Sequence, residues 1–120
     1  MNNELRKLAV DFITIPLAIA VFKHDQKHFD GLQETNIYLD LTDEAIRLLE
    51  KDLVAAKQQM YSKYHIDIKR IGKTEYRWKY QDKSGVWSYT PEQLKEMTEK
   101  VYMKYLSKAR NFEIKRRGFY

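Results

Sequence analysis

Apolar residues recur at steps of three and four between positions 42 and 63, a spacing that predicts an amphipathic helix. Thr42 is expected to cap this helix, and Asp43 and Glu44 would lie in its first turn, where the helix dipole favours negative charge. The stripe expected to face the core comprises Ile46, Leu49, Leu53, Ala56, Met60 and Tyr64. This is the clearest helical segment of the chain.

A second apolar stripe predicts a helix over about 91–108. Thr90 would be its cap, Pro91 suits the first helical position because its missing N–H has no partner there anyway, and Gln93 completes a capping box. The stripe comprises Leu94, Met97, Val101 and Tyr105. The helix is expected to fray near Ala109, and residues 110–120 are expected to form a basic, flexible C-terminal tail.

The N-terminal region is apolar and contains a proline. Residues 3–13 predict a helix, and Pro16 would kink or restart it because proline removes a backbone donor. A second helical stretch would then run over Ile15–Phe29 and stop at Gly31. A buried strand through Phe12–Ile15 is the alternative, and the sequence leaves open whether the first 29 residues form one kinked helix or two elements.

Alternating apolar and polar positions over 66–89 predict a three-stranded antiparallel meander. Gly72-Lys73 is expected to be a two-residue hairpin turn, and Asp82–Gly85 a second turn in which Gly85 takes a positive φ. A shorter alternation at 37–41 favours a fourth short strand. The predicted strands of the meander are Ile66–Ile68, Thr74–Tyr80 and Val86–Tyr89.

These elements predict an α+β fold in which the meander packs against three to four helices, because three strands alone cannot bury a core. A chain of 120 residues is typical of one domain, so residues 1–120 are expected to form a small single domain. The apolar run Phe12–Phe22 is shorter than the roughly 20 residues that span a bilayer. We therefore expect it in the core, with no membrane partner.

The chain has no cysteine, which excludes a disulfide scaffold, thiolate zinc sites and cysteine nucleophiles, and which fits a cytoplasmic protein. Its charge is unevenly distributed. Residues 1–63 carry 8 Lys and Arg against 10 Asp and Glu, a net of −2, whereas residues 64–120 carry 14 against 7, a net of +7. Such asymmetry is typical of proteins with a polyanionic partner, although basic side chains also solvate ordinary surfaces.

One histidine pair has the spacing of metal ligands. His24 and His28 would lie one helical turn apart, with Asp25 between them where a His-Glu-x-x-His metalloprotease has its glutamate. Aspartate has a shorter reach than that glutamate, and no third ligand is clearly placed. We therefore expect no metal and no other cofactor, and regard His24 and His28 as weak metal candidates only.

Aromatic and basic side chains alternate along the meander, and basic side chains continue into the tail. This pattern is typical both of a sheet that holds single-stranded nucleic acid and of a half-buried strand with its aromatic residues in the core. The binding candidates are Arg77, Trp78, Lys79, Trp87, Lys115, Arg116 and Arg117.

No catalytic residues are predicted, because the chain has neither a glycine-rich phosphate loop nor a nucleophile elbow. We expect a non-catalytic interaction protein that docks on a protein partner or on its own copy, since nine tyrosines and two tryptophans exceed what a small core readily hides. Nucleic-acid binding through the basic second half, residues 64–120, is the alternative. A metal-dependent enzyme is the third hypothesis.

Overall fold

The computed structural model describes residues 3–28 and 35–116, which form three long helices and a three-stranded sheet. This confirms the predicted α+β fold. The elements are α1 (Asn3–His28), α2 (Thr35–Gln59), a π-helical turn (Met60–Tyr64), β1 (Ile66–Arg70), β2 (Glu75–Tyr80), β3 (Lys83–Ser88) and α3 (Pro91–Arg116).

Helix α1 continues through Pro16 as one element, so the alternative with two elements and the strand at 12–15 are both wrong. Pro16 itself is exposed, whereas Ile15 and Ala18 on either side of it are buried. The tertiary packing of these neighbours outweighs the loss of one backbone hydrogen bond. The predicted stop at Gly31 lies outside the described residues.

Helix α2 begins at Thr35, well before the predicted start, so the expected strand at 37–41 is wrong. Thr42 is no cap either, because its hydroxyl donates within the helix to the carbonyl oxygens of Tyr38 and Leu39, at 3.0 and 3.2 Å. The Nε2 of Gln26 on α1 also donates to the Thr42 hydroxyl, at 2.8 Å. A threonine hydroxyl can serve a cap or an internal turn, and here it serves the turn.

The chain leaves α2 through the π-helical turn Met60–Tyr64. His65 ends this turn with a φ of 53°, and its backbone N–H donates to the carbonyl oxygen of Met60. Met60 is fully buried at this point, and Ile66, also fully buried, begins the sheet directly afterwards. The left-handed residue thus redirects the chain from helix to strand.

The sheet has the order β1-β2-β3 with both pairs antiparallel, as the meander requires. Its two turns differ from those predicted. The first is longer than Gly72-Lys73, because the N–H of Ile71 donates to the carbonyl oxygen of Glu75 at 3.0 Å. The second is Gln81-Asp82, with a φ of 58° at Gln81, and Gly85 lies inside β3 instead.

Helix α3 starts as predicted. The N–H of Gln93 donates to the Thr90 hydroxyl at 3.1 Å, and the Gln93 side-chain oxygen accepts from the N–H of Thr90 at 2.8 Å. The helix does not fray near Ala109 but continues to Arg116, so residues 110–116 of the expected flexible tail are helical. Ala109 and Glu113 are buried against the other helices, which explains the longer helix.

Two clusters of buried residues form the core, and α1 contributes to both. The first cluster joins the N-terminal half of α1 to the sheet, and the second joins the C-terminal half of α1 to α2 and α3. The Cα atoms extend over 54 × 28 × 17 Å, so the molecule is elongated. They comprise Leu5, Ala9, Ile13, Met60, Ile66, Ile68, Tyr76 and Leu94 in the first, and Ile15, Ala18, Phe22, Ala45, Ile46, Leu49, Tyr105 and Ala109 in the second.

Candidate functional site

The aromatic and basic binding candidates of the meander lie on opposite faces of the sheet. Tyr76 is buried in the first cluster, and Trp78 and Trp87 pack against that cluster while remaining partly exposed. Arg77 and Lys79 alternate with these rings along β2 and are exposed. Because neighbouring residues of a strand point to opposite faces, the two predicted cations cannot flank the two tryptophans in one site.

The two tryptophans instead line a groove between the sheet and the first half of α1, here called the aromatic groove. Their ring centroids are 6.0 Å apart and their planes are inclined by 26°. The groove has a volume of about 510 Å³ and is lined by Arg6, Ala9, Val10, Trp78, Lys83, Trp87 and Tyr89. Its cations, Arg6 and Lys83, were missed by the sequence analysis.

Local geometry explains how the groove is built. Arg6, Ala9 and Val10 fall at helical spacings of three and four, so they share one face of α1. Lys83 follows the turn Gln81-Asp82 and lies on the same face of β3 as Gly85 and Trp87. The only sequence signal for Lys83 was this period of two, which the wrong position of the turn had obscured.

Gly85 pairs with Trp78 across the β2–β3 ladder and sits beneath its ring. A Cβ on Gly85 would lie 2.8 Å from the indole Nε1 and 2.9 Å from two of its carbon atoms. Since real Cβ atoms are essentially never this close to another heavy atom, only glycine lets the indole lie flat on β3. Gly85 is therefore required by packing rather than by a turn.

Of the basic C-terminal candidates, Lys115 and Arg116 lie at the end of α3 and outside the lining of the aromatic groove. Arg116 binds Glu113 at 2.8 Å and reaches Asp40 of α2 at 3.5 Å, while Lys115 is exposed and Arg117 lies outside the described residues. This contact is at the C-terminal end of α3, whereas Trp78 packs on the first cluster. Lys115 and Arg116 are thus not part of the aromatic groove, whose lining in the second half of the chain includes one basic residue, Lys83.

His24 and His28 do lie together at the end of α1, with their Nε2 atoms 3.3 Å apart and both side chains exposed. Asp25 is on the other side of His24, with its Oδ1 atom 3.9 Å from Nδ1. Across residues 3–28 and 35–116, no three histidine, aspartate or glutamate side chains come together in a metal-binding arrangement. His65 belongs to the opposite end of α1, where Lys63 contacts Glu4.

A second and larger groove, here called the apolar groove, lies between α1, the start of α3 and the β1–β2 loop. It has a volume of about 740 Å³, and most of its accessible lining is apolar. Its size is typical of ligand-binding clefts, which have roughly 300–1,000 Å³. The lining residues are Leu17, Ala20, Val21, Asp25, Lys73, Thr74, Pro91, Leu94, Lys95, Thr98, Glu99 and Tyr102.

One hydrogen bond closes an end of the apolar groove. The Tyr102 hydroxyl donates to Oδ2 of Asp25 at 2.9 Å, and the Tyr102 ring stacks on Phe22 with centroids 4.1 Å apart. Burial, followed by the hydrogen bond to Asp25, raises the pKa of Tyr102 well above its usual value. The phenol therefore stays protonated and acts as a fixed donor that ties α3 to α1.

The structure thus defines a small α+β domain that carries the aromatic groove and the apolar groove, and none of the helices in its described part has the length and apolarity of a membrane span. The chain belongs to the YhjD family, because the family described as "YhjD protein" matches it over residues 1–110. No curated protein and no solved structure matches the chain significantly. The function of this family is unknown.

Proposed function

We propose that this protein is a non-catalytic interaction module, and that it binds an amphipathic helix of a partner protein in the apolar groove. The observation that carries the proposal is the character of this groove, an apolar floor between two helices with lysines near the start of α3 and Asp25 near Tyr102. Grooves of this kind bind helices through apolar anchors spaced three and four residues apart.

The floor has the dimensions that such a helix needs. Leu17 and Val21 on α1 face Leu94 on α3, and Val21 is 39% exposed. From Leu94 to Tyr102 the groove follows α3 for about 12 Å, or two helical turns. Two turns of a bound helix present apolar anchors at i, i+3 or i+4, and i+7 on one face, which is the spacing used in this mode of recognition.

The charges give the occupant a direction. Lys73 and Lys95 lie near Pro91, at the start of α3, where the N–H of Tyr89 bonds to the carbonyl oxygen of Thr74. Asp25 lies towards the other end, where it bonds to Tyr102, and Glu99 lies on α3 one turn beyond Lys95. A complementary helix would place acidic side chains near the lysines and basic side chains near the carboxylates, which fixes its orientation.

The test selects amphipathic helical peptides from a phage-displayed library on the full-length protein. Peptides selected by the apolar groove should bind the Val21→Lys variant at least about tenfold more weakly, because the lysine would place a charge on the apolar floor. Val54→Lys is the matched control, since Val54 is 56% exposed on α2 outside the groove. This variant should bind the selected peptides with the affinity of the wild type.

A charge reversal then tests the direction. Lys95→Glu should weaken binding of the selected peptides, and exchanging the acidic end of the peptides for a basic one should restore their binding to this variant. Selected peptides that ignore Val21→Lys and Lys95→Glu would refute the proposal. A second copy of this chain is the other possible occupant, and size exclusion with light scattering tests for it. A wild-type dimer that Val21→Lys converts to a monomer would show that the second copy fills the groove instead.

A further inference from the structure

The geometry of the aromatic groove points to a second binding site, and we infer that it takes a nucleoside phosphate, with the base against the indoles and the phosphate on Arg6 and Lys83. This groove is separate from the apolar groove and does not depend on the function proposed for that site. The inference rests on the shape of its two walls and on the sign of its charge.

The walls suit a flat ring. One consists of the partly exposed indoles of Trp78 and Trp87, and the other of Ala9 and Val10, two short side chains on one face of α1. Stacking of nucleobases on aromatic side chains is the main way in which proteins hold unpaired bases. With centroids 6.0 Å apart, the indoles leave no room for a ring between them, so the base lies between the indole wall and α1.

Gly85 fixes the indole wall in advance. Because the ring of Trp78 lies directly over the position where a Cβ would be, its orientation is set by β3 before any ligand arrives. A wall that is already in place loses little conformational entropy on binding.

The groove is positively charged. Arg6 and Lys83 are the charged residues of its lining, which contains no acidic side chain. In the described part of the chain, neither cation forms an ion pair within 4.0 Å, whereas Arg47 and Arg116 are each bound to a glutamate. Two cations beside an aromatic wall are complementary to a planar ligand that carries a phosphate.

Intrinsic fluorescence provides a direct assay, because the chain has two tryptophans and both line this groove. We expect AMP to quench the tryptophan emission of the full-length protein saturably. Adenosine and inorganic phosphate, which each supply half of the contacts, should bind at least about tenfold more weakly. Equal quenching by adenosine and AMP would overturn the inference, since Arg6 and Lys83 would then make no contribution to binding through the phosphate.

Charge-neutralising variants identify the phosphate contacts. Arg6→Gln and Lys83→Gln should each lower the affinity for AMP by about fivefold. Both should leave the circular dichroism spectrum unchanged, because both side chains are exposed. Lys79→Gln is the matched control, since Lys79 lies on the opposite face of the sheet, and its affinity should match the wild type. No saturable quenching below about 5 mM, or equal losses in all three variants, would refute the site.

The same phosphate chemistry occurs in free nucleotides and in single strands. An eight-nucleotide oligoadenylate separates the two sources. If a strand is the natural ligand, it should bind more than about tenfold more tightly than AMP and weaken steeply with salt. If a free nucleotide is the ligand, the oligonucleotide should bind no better than AMP. Either result supports the site provided that Arg6→Gln and Lys83→Gln reduce the binding.

Discussion

The hydroxyl of Tyr105 on α3 donates a hydrogen bond to the carboxylate of Asp52 on α2. Tyr105 is 5% exposed and belongs to the second cluster, so this bond closes the polar edge of that core. Tyr102 makes the equivalent bond from α3 to Asp25 on α1. Two tyrosines of one helix thus anchor it to both of the others.

These two tyrosines predict a pH dependence. Burial, then the hydrogen-bonded carboxylate, raises the pKa of each phenol above the ordinary value of 10.0. The folded protein therefore holds these protons when the unfolded chain releases them, so their contribution to stability is complete below pH 10 and is lost as the pH rises further.

Urea melts at about pH 8 and about pH 11 test this linkage. The wild type should lose more free energy of unfolding over this interval than Tyr102→Phe or Tyr105→Phe does. Tyr61→Phe, at a position that is 49% exposed, should follow the wild type. Parallel losses in all four proteins would show that the tyrosine–carboxylate bonds are not formed.

Gly85→Ala should lower the free energy of unfolding by about 1–3 kcal/mol, because the new methyl group must displace the Trp78 indole or the strand beneath it. It should also shift the native tryptophan emission. At Gly72, the nearest atom to a new Cβ is a side-chain oxygen of Glu75 at 3.5 Å, so Gly72→Ala serves as the control. Similar stabilities of the two variants would contradict the described packing.

Leu49→Ala should cost about 2–4 kcal/mol, because Leu49 is fully buried in the second cluster. Val101 packs against the same cluster but is only partly buried, so Val101→Ala should cost about 1–2 kcal/mol. Urea melts measure both values, with Val54→Ala on the exposed side of α2 as a control below about 0.5 kcal/mol. A reversed order of Leu49 and Val54 would place the wrong face of α2 in the core.

His65→Gly should stabilise the fold by up to about 1 kcal/mol, since His65 is exposed and has the left-handed φ of 53° that favours glycine. The same substitution inside α2, Gln58→Gly, should cost about 1 kcal/mol. Denaturant melts of both variants provide the comparison. A loss of stability at position 65 would mean that the histidine side chain makes a contact absent from this structure.

Calorimetric titration with zinc should show no site tighter than about micromolar, because His24 and His28 supply two ligands whereas structural zinc sites use four. His28→Ala is the control for any heat observed. A one-to-one zinc isotherm that disappears in this variant would contradict the prediction.

The sequence sufficed to predict those elements in which neighbouring residues alone determine the conformation. Thr90, Pro91 and Gln93 satisfy the first backbone donors of α3 among themselves, so its start needed no information from distant residues. The alternation of β2 likewise follows from one buried face and one exposed face.

The prediction of secondary structure failed where contacts between residues distant in sequence decide which of two local conformations forms. The pattern at 37–41 fits a short strand as well as a helix, and the contact of Gln26 with Thr42 depends on a packing of α1 on α2 that no local pattern reveals. The same reason applies to the candidate site. Trp78 and Trp87 were identified, but their cationic neighbour Arg6 is distant in sequence and reaches the groove only through the tertiary fold.

The border between the buried residues of the two core clusters falls within α1 just before Pro16, since Ile13 belongs to the first cluster and Ile15 to the second. One unbroken helix therefore has its two halves embedded in different cores. Unfolding of either cluster would remove the packing partners of half of α1 and so destabilise the helix that the other cluster also needs. We therefore expect both clusters to unfold in a single cooperative transition, despite the elongated outline of the molecule.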